Sequence, residues 1–546
     1  MFNAMRHLLL LLLLGFAVTF TSCRDDFEFE PSTGGLEFSR DTVYLDTVFT
    51  NVGSSTYTLK VYNRSNKDIS IPRIALGQAE NSKYRLMVDG VPGKVFNNVE
   101  LLAKDSMFVF IETTIDYTDY ANDNTTFLYT DNIQFTSSNG NQKVELVTLV
   151  QDAYFLFPQR NDEGLYEAVR YDSDSNTTEP TYIYGFNLDH ADHDDEYHWK
   201  NTKPYVIYGY ANVPSGETLV VDPGARIHFH ADSGLMVRPG ARLEVNGSQS
   251  STAALENEVI FEGDRLEPDF HDIPGQWGSV LIMSEADNTI NHLTVKNANI
   301  GIFAQAPIGD NNTIPKLKIN NSQIYNSTNF GLFSIHGNTT GTNLVINNAG
   351  QASLSLVQGG THSFKQCTFA NYFNSYNQVP VLMNNYWDVG NVTRYSDMVA
   401  SFDNCIMYGS GNLGISLEKF VPPTGNDTTI FKSVFNHCLI KLVDTGNQLA
   451  NNSLYKYETN TTADDTYYNT CVIAKTANNN RPRFEDAPNN KLNLITNDAA
   501  TPANPGPEGS ADPVVAAVVG PDIKGVARSA SAPDMGAYES QPAPAE

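Results

Sequence analysis

One phrase recurs four times in the second half of the chain and carries four of its five cysteines. It reads Phe364-Lys-Gln-Cys367-Thr-Phe369, Phe402-Asp-Asn-Cys405-Ile-Met407, Phe435-Asn-His-Cys438-Leu-Ile440 and Tyr468-Asn-Thr-Cys471-Val-Ile473. An aromatic residue stands three before each cysteine and an apolar one two after, at steps of 38, 33 and 33 residues. Earlier segments keep the frame without the sulfur: Ile290-Asn-His-Leu293-Thr-Val295, Ile319-Asn-Asn-Ser322-Gln-Ile324 and Thr342-Asn-Leu344-Val-Ile346. A short strand repeated every few tens of residues cannot bury its apolar face alone and must stack on its neighbours, which predicts a solenoid. Cysteines in one frame of successive coils fall into one inward column as small apolar side chains. Their parallel Cα–Cβ vectors suit a disulfide torsion poorly, so free buried thiols are expected. The spacing fits no Cys-X-X-Cys zinc pattern.

At 546 residues the chain exceeds one compact core, so an elongated repeat or several units are required. A formal net charge of −27 excludes the dense basic face that nucleic acid needs. It also disfavours unassisted binding of acidic polymers, which only a bridging Ca²⁺ would reverse; no other cofactor is implied. Apolar residues make up 41% and charged ones 18%, with many Asn, Thr, Ser, Gly and Tyr, a β- and turn-rich composition.

Residues 1–22 read as a signal peptide: Arg6 and His7 precede an apolar run from Leu8 to Phe20, too short to span a bilayer as a helix. The run ends at Thr21-Ser22-Cys23, which resembles a bacterial lipobox and implies cleavage before Cys23 and acylation there. An ordinary secretory signal with an incidental cysteine is the other reading. Several acyl chains would hold the protein at a membrane. Arg24-Asp25-Asp26-Phe27-Glu28 resembles the export signal that takes Bacteroidetes-type lipoproteins to the outer face of the outer membrane; the plainer reading is an acidic tether.

Residues 23–35 form that tether. From 36 to 153 short strands alternate with period two, as in Tyr57-Thr-Leu-Lys-Val-Tyr62 and Val144-Glu-Leu-Val-Thr-Leu-Val150, and predict a β-sandwich of about seven strands. The segment resembles the immunoglobulin-like domains of bacterial surface proteins, which implies a spacer. Residues 154–204 read as an irregular acidic linker. Within them Asn187-Leu-Asp-His190-Ala-Asp-His193-Asp-Asp-Glu-Tyr-His198 makes His190, His193 and His198 weak metal candidates, at a spacing that fits no named site. Asp41-Thr-Val43, Asp46-Thr-Val48, Asp105-Ser-Met107 and Asp427-Thr-Thr429 resemble the O-glycosylation acceptors of the same bacteria, and are also ordinary turn chemistry.

From Tyr205 the repeat begins in earnest. Val221-Asp-Pro-Gly-Ala-Arg-Ile-His-Phe-His230 is followed by Val237-Arg-Pro-Gly-Ala-Arg-Leu-Glu-Val-Asn246, each a Pro-Gly turn feeding an alternating strand. Ile227, Phe229, Leu243 and Val245 then point inward, and Arg226, His228, His230 and Arg242 outward. With Gln276-Trp277-Gly278, the Asn-rich rungs and the close Asp522-Ile-Lys-Gly-Val-Ala-Arg528 and Pro533-Asp-Met-Gly-Ala-Tyr-Glu539, residues 205–540 resemble the right-handed parallel β-helix of the pectin-lyase-like superfamily. The fold expected is therefore all-β, an N-terminal β-sandwich followed by a right-handed parallel β-helix solenoid.

Enzymes of that superfamily, by resemblance, use a Lys or Arg base or clustered Asp residues with a Gly-His-Gly and an Arg-X-Lys. Here the Asp pairs Asp194-Asp195 and Asp464-Asp465 lie outside the rungs, and Ile335-His336-Gly337 has no Arg-X-Lys after it. No catalytic residue is assigned. The expectation is a surface lipoprotein whose coils bind glycan or another surface component; a polysaccharide lyase or glycoside hydrolase acting on the flank is the alternative. Candidate ligand contacts are Arg226, His228, His230 and Arg242, with Tyr372, Tyr376, Tyr386 and Trp387 from the aromatic insertion at 371–400.

Overall fold

A computed structural model describes residues 28–120, 125–174, 178–193, 195–310, 312–422, 429–449, 451–496 and 505–543. Cys23 and the leader lie outside the described residues. The chain is all-β and divides after Gln151 into two compact units. Among the described residues no helix is long and apolar enough to cross a membrane.

The first unit holds a six-stranded and a five-stranded sheet. One core draws on both: Val43, Ile133 and Leu146 from the larger, Leu59, Leu86 and Val109 from the smaller. Strand Tyr84–Val88 alternates buried and exposed residues, the period-two pattern of a half-buried strand. There are more strands than the alternation suggested, because Glu30–Pro31, Glu37–Phe38 and Val91–Gly93 are too short to show a period. Glu30 and Pro31 pair with Ile69 and Ser70, so the fold begins inside the segment expected as tether.

In the second unit successive strands pair in parallel with those one coil before and after, in three ladders. The first ladder includes Tyr205–Ile207, Arg226–Phe229, Val259–Gly263, Leu293–Lys296, Gln323–Ser327 and on to Val472–Ala474. The second runs from Tyr182–Asn187 to Ile415–Glu418, and the third from His198–Trp199 to Thr466–Asn469. Long strands Phe330–Thr342 and Ala352–Lys365 serve both the second and the third.

The recurring phrase marks the turn from the third ladder to the first. The residue just before the cysteine position has φ between 47° and 55° in seven coils, at His292, Asn321, Asn343, Gln366, Asn404, His437 and Thr470. Asn tolerates this left-handed conformation best among residues with a Cβ. Its amide also bonds the next coil: Asn343 Nδ2 donates to Asn321 Oδ1 at 2.9 Å. A second amide column, Asn297, Asn326 and Asn348, lines the turn from first to second ladder. Leu293, Ser322, Leu344, Cys367, Cys405 and Cys438 are buried in one inward column, with Cys471 half-buried at its end. All four thiols are free and donate to backbone carbonyls, Cys438 Sγ to Phe402 O at 3.2 Å. The aromatic residues of the phrase stack from Phe364 through Phe402 and Phe435 to Tyr468, with centroid steps of 5.3, 5.2 and 5.2 Å.

Two segments depart from expectation. Residues 154–204 are not an irregular linker: Tyr154–Leu156, Tyr182–Asn187 and His198–Trp199 each pair in parallel with the following coil. Strands this short, set in acidic turns, leave no periodicity to read. The tail beyond Phe484 does more than close the stack. Leu492, Leu494, Ile523, Met535 and Tyr538 pack on Tyr325, Val345, Ile406, Tyr408 and Leu439, covering the outer side of the first ladder. Gly536 N donates to Asn404 O and Ala537 N to Thr368 Oγ1.

Candidate functional site

The aromatic insertion folds as a β-hairpin. Tyr386–Val389 pairs antiparallel with Val392–Tyr395 around Gly390-Asn391, with Gly390 at φ +61°. Glycine followed by Asn is a two-residue hairpin turn, a signal present in the sequence. Trp387 meets Phe333 edge-on at 5.7 Å, and Phe333 stacks on Phe330 and Phe303, which fixes the indole against the second ladder. Tyr386 packs on Phe420 instead and points away from that contact.

Between this hairpin and the loop 305–313 lies a cavity of about 730 Å³ lined by Trp387, Tyr395, Arg394, Tyr171, Gln305 and Asp310. Trp387 is partly exposed, while the Tyr395 ring, cross-strand from Tyr386, packs on Phe420 at 5.2 Å. Gln305 Nε2 donates to the Tyr171 hydroxyl at 3.1 Å, which is raised in pKa by burial. Burial raises the Asp310 carboxyl, but bonds from the Thr313 hydroxyl and the Asn312 and Thr313 amides outweigh it and hold it below the usual value. Among the described residues Arg394 makes no ion pair or side-chain hydrogen bond. At the hairpin's end Ser396 Oγ lies 2.8 Å from His336 Nδ1 and donates to the Gln358 carbonyl, tying the hairpin to two coils. Aromatic faces beside amides, a carboxylate and a guanidinium suit the mixed apolar and hydroxyl surface of a sugar ring. Tyr171, Gln305 and Asp310 escaped the sequence reading because they stand far along the chain from Trp387.

The other candidates scatter. Arg226 is spent on structure: its guanidinium donates to the carbonyls of Gly224, Ala225, Leu255 and Glu258. His228 stands outside the coil yet is buried, with register neighbour Glu262 3.8 Å away, so it offers no ligand surface. Burial pushes its imidazole down. His230 is bonded to Asp264 at 2.7 Å and lies against Tyr208. Arg242 belongs to the third ladder and faces Glu244. Tyr372 is packed against Phe484 of the returning tail, and Tyr376 projects freely.

The three linker histidines do not converge. His190 meets Asp195 and Glu217, His193 meets Glu196, and His198 meets Asp222. Among the described residues no group of three or more His, Cys, Asp or Glu is placed to hold a metal ion.

A second cavity of about 520 Å³ flanks the first ladder, lined by Glu262, Lys296, Arg265, His271 and Asp272. Lys296 Nζ and Glu262 Oε2 are 2.6 Å apart on adjacent coils. Burial raises the Glu262 carboxyl, but attraction to His228 and Lys296 outweighs it and keeps it ionised.

No protein-family model matches the chain. No curated protein matches it. Among solved structures, a family 123 glycoside hydrolase from Clostridium perfringens aligns at 10% identity and TM-score 0.14, over 21% of this chain. The chain spans 26% of that hydrolase. The catalytic domain of a GH87 α-1,3-glucanase bound to tetrasaccharides aligns at 12% identity and TM-score 0.20, over 77% of this chain and 91% of the glucanase domain. The periplasmic chaperone SfaE aligns at 14% identity and TM-score 0.16, over 28% of this chain and 83% of its own. At such scores none of them bears on activity, and the site stands on its own residues.

Proposed function

We propose that this is a lipoprotein, anchored through Cys23 to the outer membrane and facing the exterior, whose coiled body binds neutral glycan in the cavity beside Trp387. Three parallel ladders with continuous inward columns support reading that body as a right-handed β-helix of the pectin-lyase-like kind. The two-sheet N-terminal unit acts as an immunoglobulin-like spacer. The observation that carries the glycan reading is the cavity of about 730 Å³ whose lining brings Trp387 and Arg394, a cross-strand pair of the hairpin, together with Gln305 and Asp310. A net charge of −27 favours uncharged ligands there over acidic polymers. Titration calorimetry with neutral oligosaccharides tests it. Trp387→Ala is expected to weaken the best ligand about tenfold or more while the chain stays folded, as loss of a stacking aromatic does. Affinity in Trp387→Ala equal to that of the parent would sink the reading.

The paired Lys296 and Glu262 on adjacent coils favour a second reading, a polysaccharide lyase or glycoside hydrolase acting on that flank. Release of sugar products that disappears with Lys296→Ala or Glu262→Gln would replace binding by catalysis.

A further inference from the structure

A third cavity, of about 650 Å³, lies where the chain leaves the last coil and starts back along the first ladder. Arg481, Arg483, Tyr372, Phe484, Glu485 and Asp486 line it. Among the described residues half of the arginines find a carboxylate, as Arg64 does in Glu37, Arg238 in Asp174 and Arg265 in Glu267. These two do not. Arg483 donates only to the Thr496 carbonyl, and among the described residues Arg481 makes no hydrogen bond or ion pair. Both are exposed. The two carboxylates of the cavity are turned to their own hairpin: Glu485 accepts from Asn493 and lies 3.8 Å from Lys491, and Asp486 accepts from Asn489.

A third cation stands close by. Lys441 is buried, with Nζ bonded to the Gly409 carbonyl and 4.8 Å over the Tyr408 ring. Burial first and the Arg481 charge second push its ammonium down. The Arg481 charge also works on the Tyr372 and Tyr408 phenols against the burial that raises them. Two guanidinium groups without a carboxylate partner among the described residues thus line one concave place beside aromatic rings, with Glu485 and Asp486 engaged by their own neighbours.

We propose that this cavity binds a single oxyanion-bearing sugar, its carboxylate or sulfate held by the guanidinium groups of Arg481 and Arg483 and its ring set against Phe484 and Tyr372. Planar guanidinium matches both oxyanions through paired, charge-assisted hydrogen bonds. The overall negative charge repels a long polyanion but not one anionic unit seated in a local positive pocket. This site shares no residue with the neutral-glycan cavity, so either can fail alone.

The experiment is calorimetric titration of the full chain with glucuronate, galactose 6-sulfate, glucose and galactose, at low and high salt. Binding of at least one charged sugar that is weakened by salt and persists in Trp387→Ala, with neither neutral sugar bound by the Trp387→Ala chain, supports the site, and the two charged arms tell carboxylate from sulfate. Arg481→Ala and Arg483→Ala are each expected to weaken it about tenfold, as loss of a charge-assisted bond does, while Trp387→Ala leaves it unchanged. Both arginines are exposed, so the variants should keep the parent unfolding midpoint. Equal binding of neutral and charged sugars by the Trp387→Ala chain, no binding of either charged sugar, or unchanged affinity in the double Arg481→Ala, Arg483→Ala variant overturns the proposal.

Discussion

Phe402 sits between Phe364 and Phe435 in the inward aromatic stack, fully buried and 5.3 and 5.2 Å from its neighbours. Removing the ring leaves a void that both neighbours line, so Phe402→Ala should cost about 3–5 kcal/mol in denaturant unfolding. The cysteine three residues on is far more replaceable. Its column already accepts Ser322, whose hydroxyl donates to Asn320 O at 2.7 Å as the thiols donate to theirs. Cys405→Ser should therefore cost only about 1 kcal/mol. Burial pushes the Cys405 thiol up, so it should resist thiol reagents until the chain unfolds. His362 shows the opposite case, a titratable group with no exit. It is buried, its imidazole is pushed down to about 4 by burial, and the nearby His336 acts in the same direction. The unfolded chain binds that proton more readily, so stability is full above about pH 6.5 and falls as pH drops toward 4. Urea midpoints at pH 7 and 4.5 should differ less in His362→Gln than in the parent. An equal difference in both would assign the loss to other groups.

The returning tail is the element whose role the sequence concealed. Its Asp, Arg and Glu, expected only as part of the close of the coils, lock a strap that runs back along them. The Arg528 side chain is 3% exposed, donates to Asn343 Oδ1 and to Gly536 O, and lies 3.6 Å from Glu539. Asp522 accepts the amides of Lys524, Val526 and Glu539, and Asp534 those of Gly509 and Ser540. Breaking a buried ion pair on one side leaves the other charge uncompensated, at about 3–5 kcal/mol. Arg528→Ala should loosen the strap locally, and limited proteolysis should cut between 484 and 541 before the coils are touched. A variant that melts as one unit with no early cut would show the strap to be integral to the stack. The hairpin at 386–395 differs: its Gly390-Asn391 turn and alternating flanks are local signals, so its existence was legible, but not the cavity it closes.

At the scale of the whole chain, each unit carries its own core. The anchor proposed at Cys23 is tested by Cys23→Ala, which should move the protein from the membrane fraction to the soluble one; continued partition with lipid would remove the anchor. All-β class, the repeat, the inward columns and the free thiols were readable from sequence because each depends on contacts one coil away. There a period of a few tens of residues and a left-handed residue, Asn in three of seven coils, recur at the turn from the third ladder to the first. The first coil at 154–204, the roofed His228, the packed Tyr372 and the cavities were not readable. They depend on outward residues whose neighbours come from distant chain, as Arg528 meets Asn343 across 185 residues and Gln305 meets Tyr171 across 134. The sequence by itself therefore determined what faces inward, since stacking repeats its own near neighbours. Only the tertiary structure decided what the outer faces present, since loops and tail settle there by long-range contacts that carry no period.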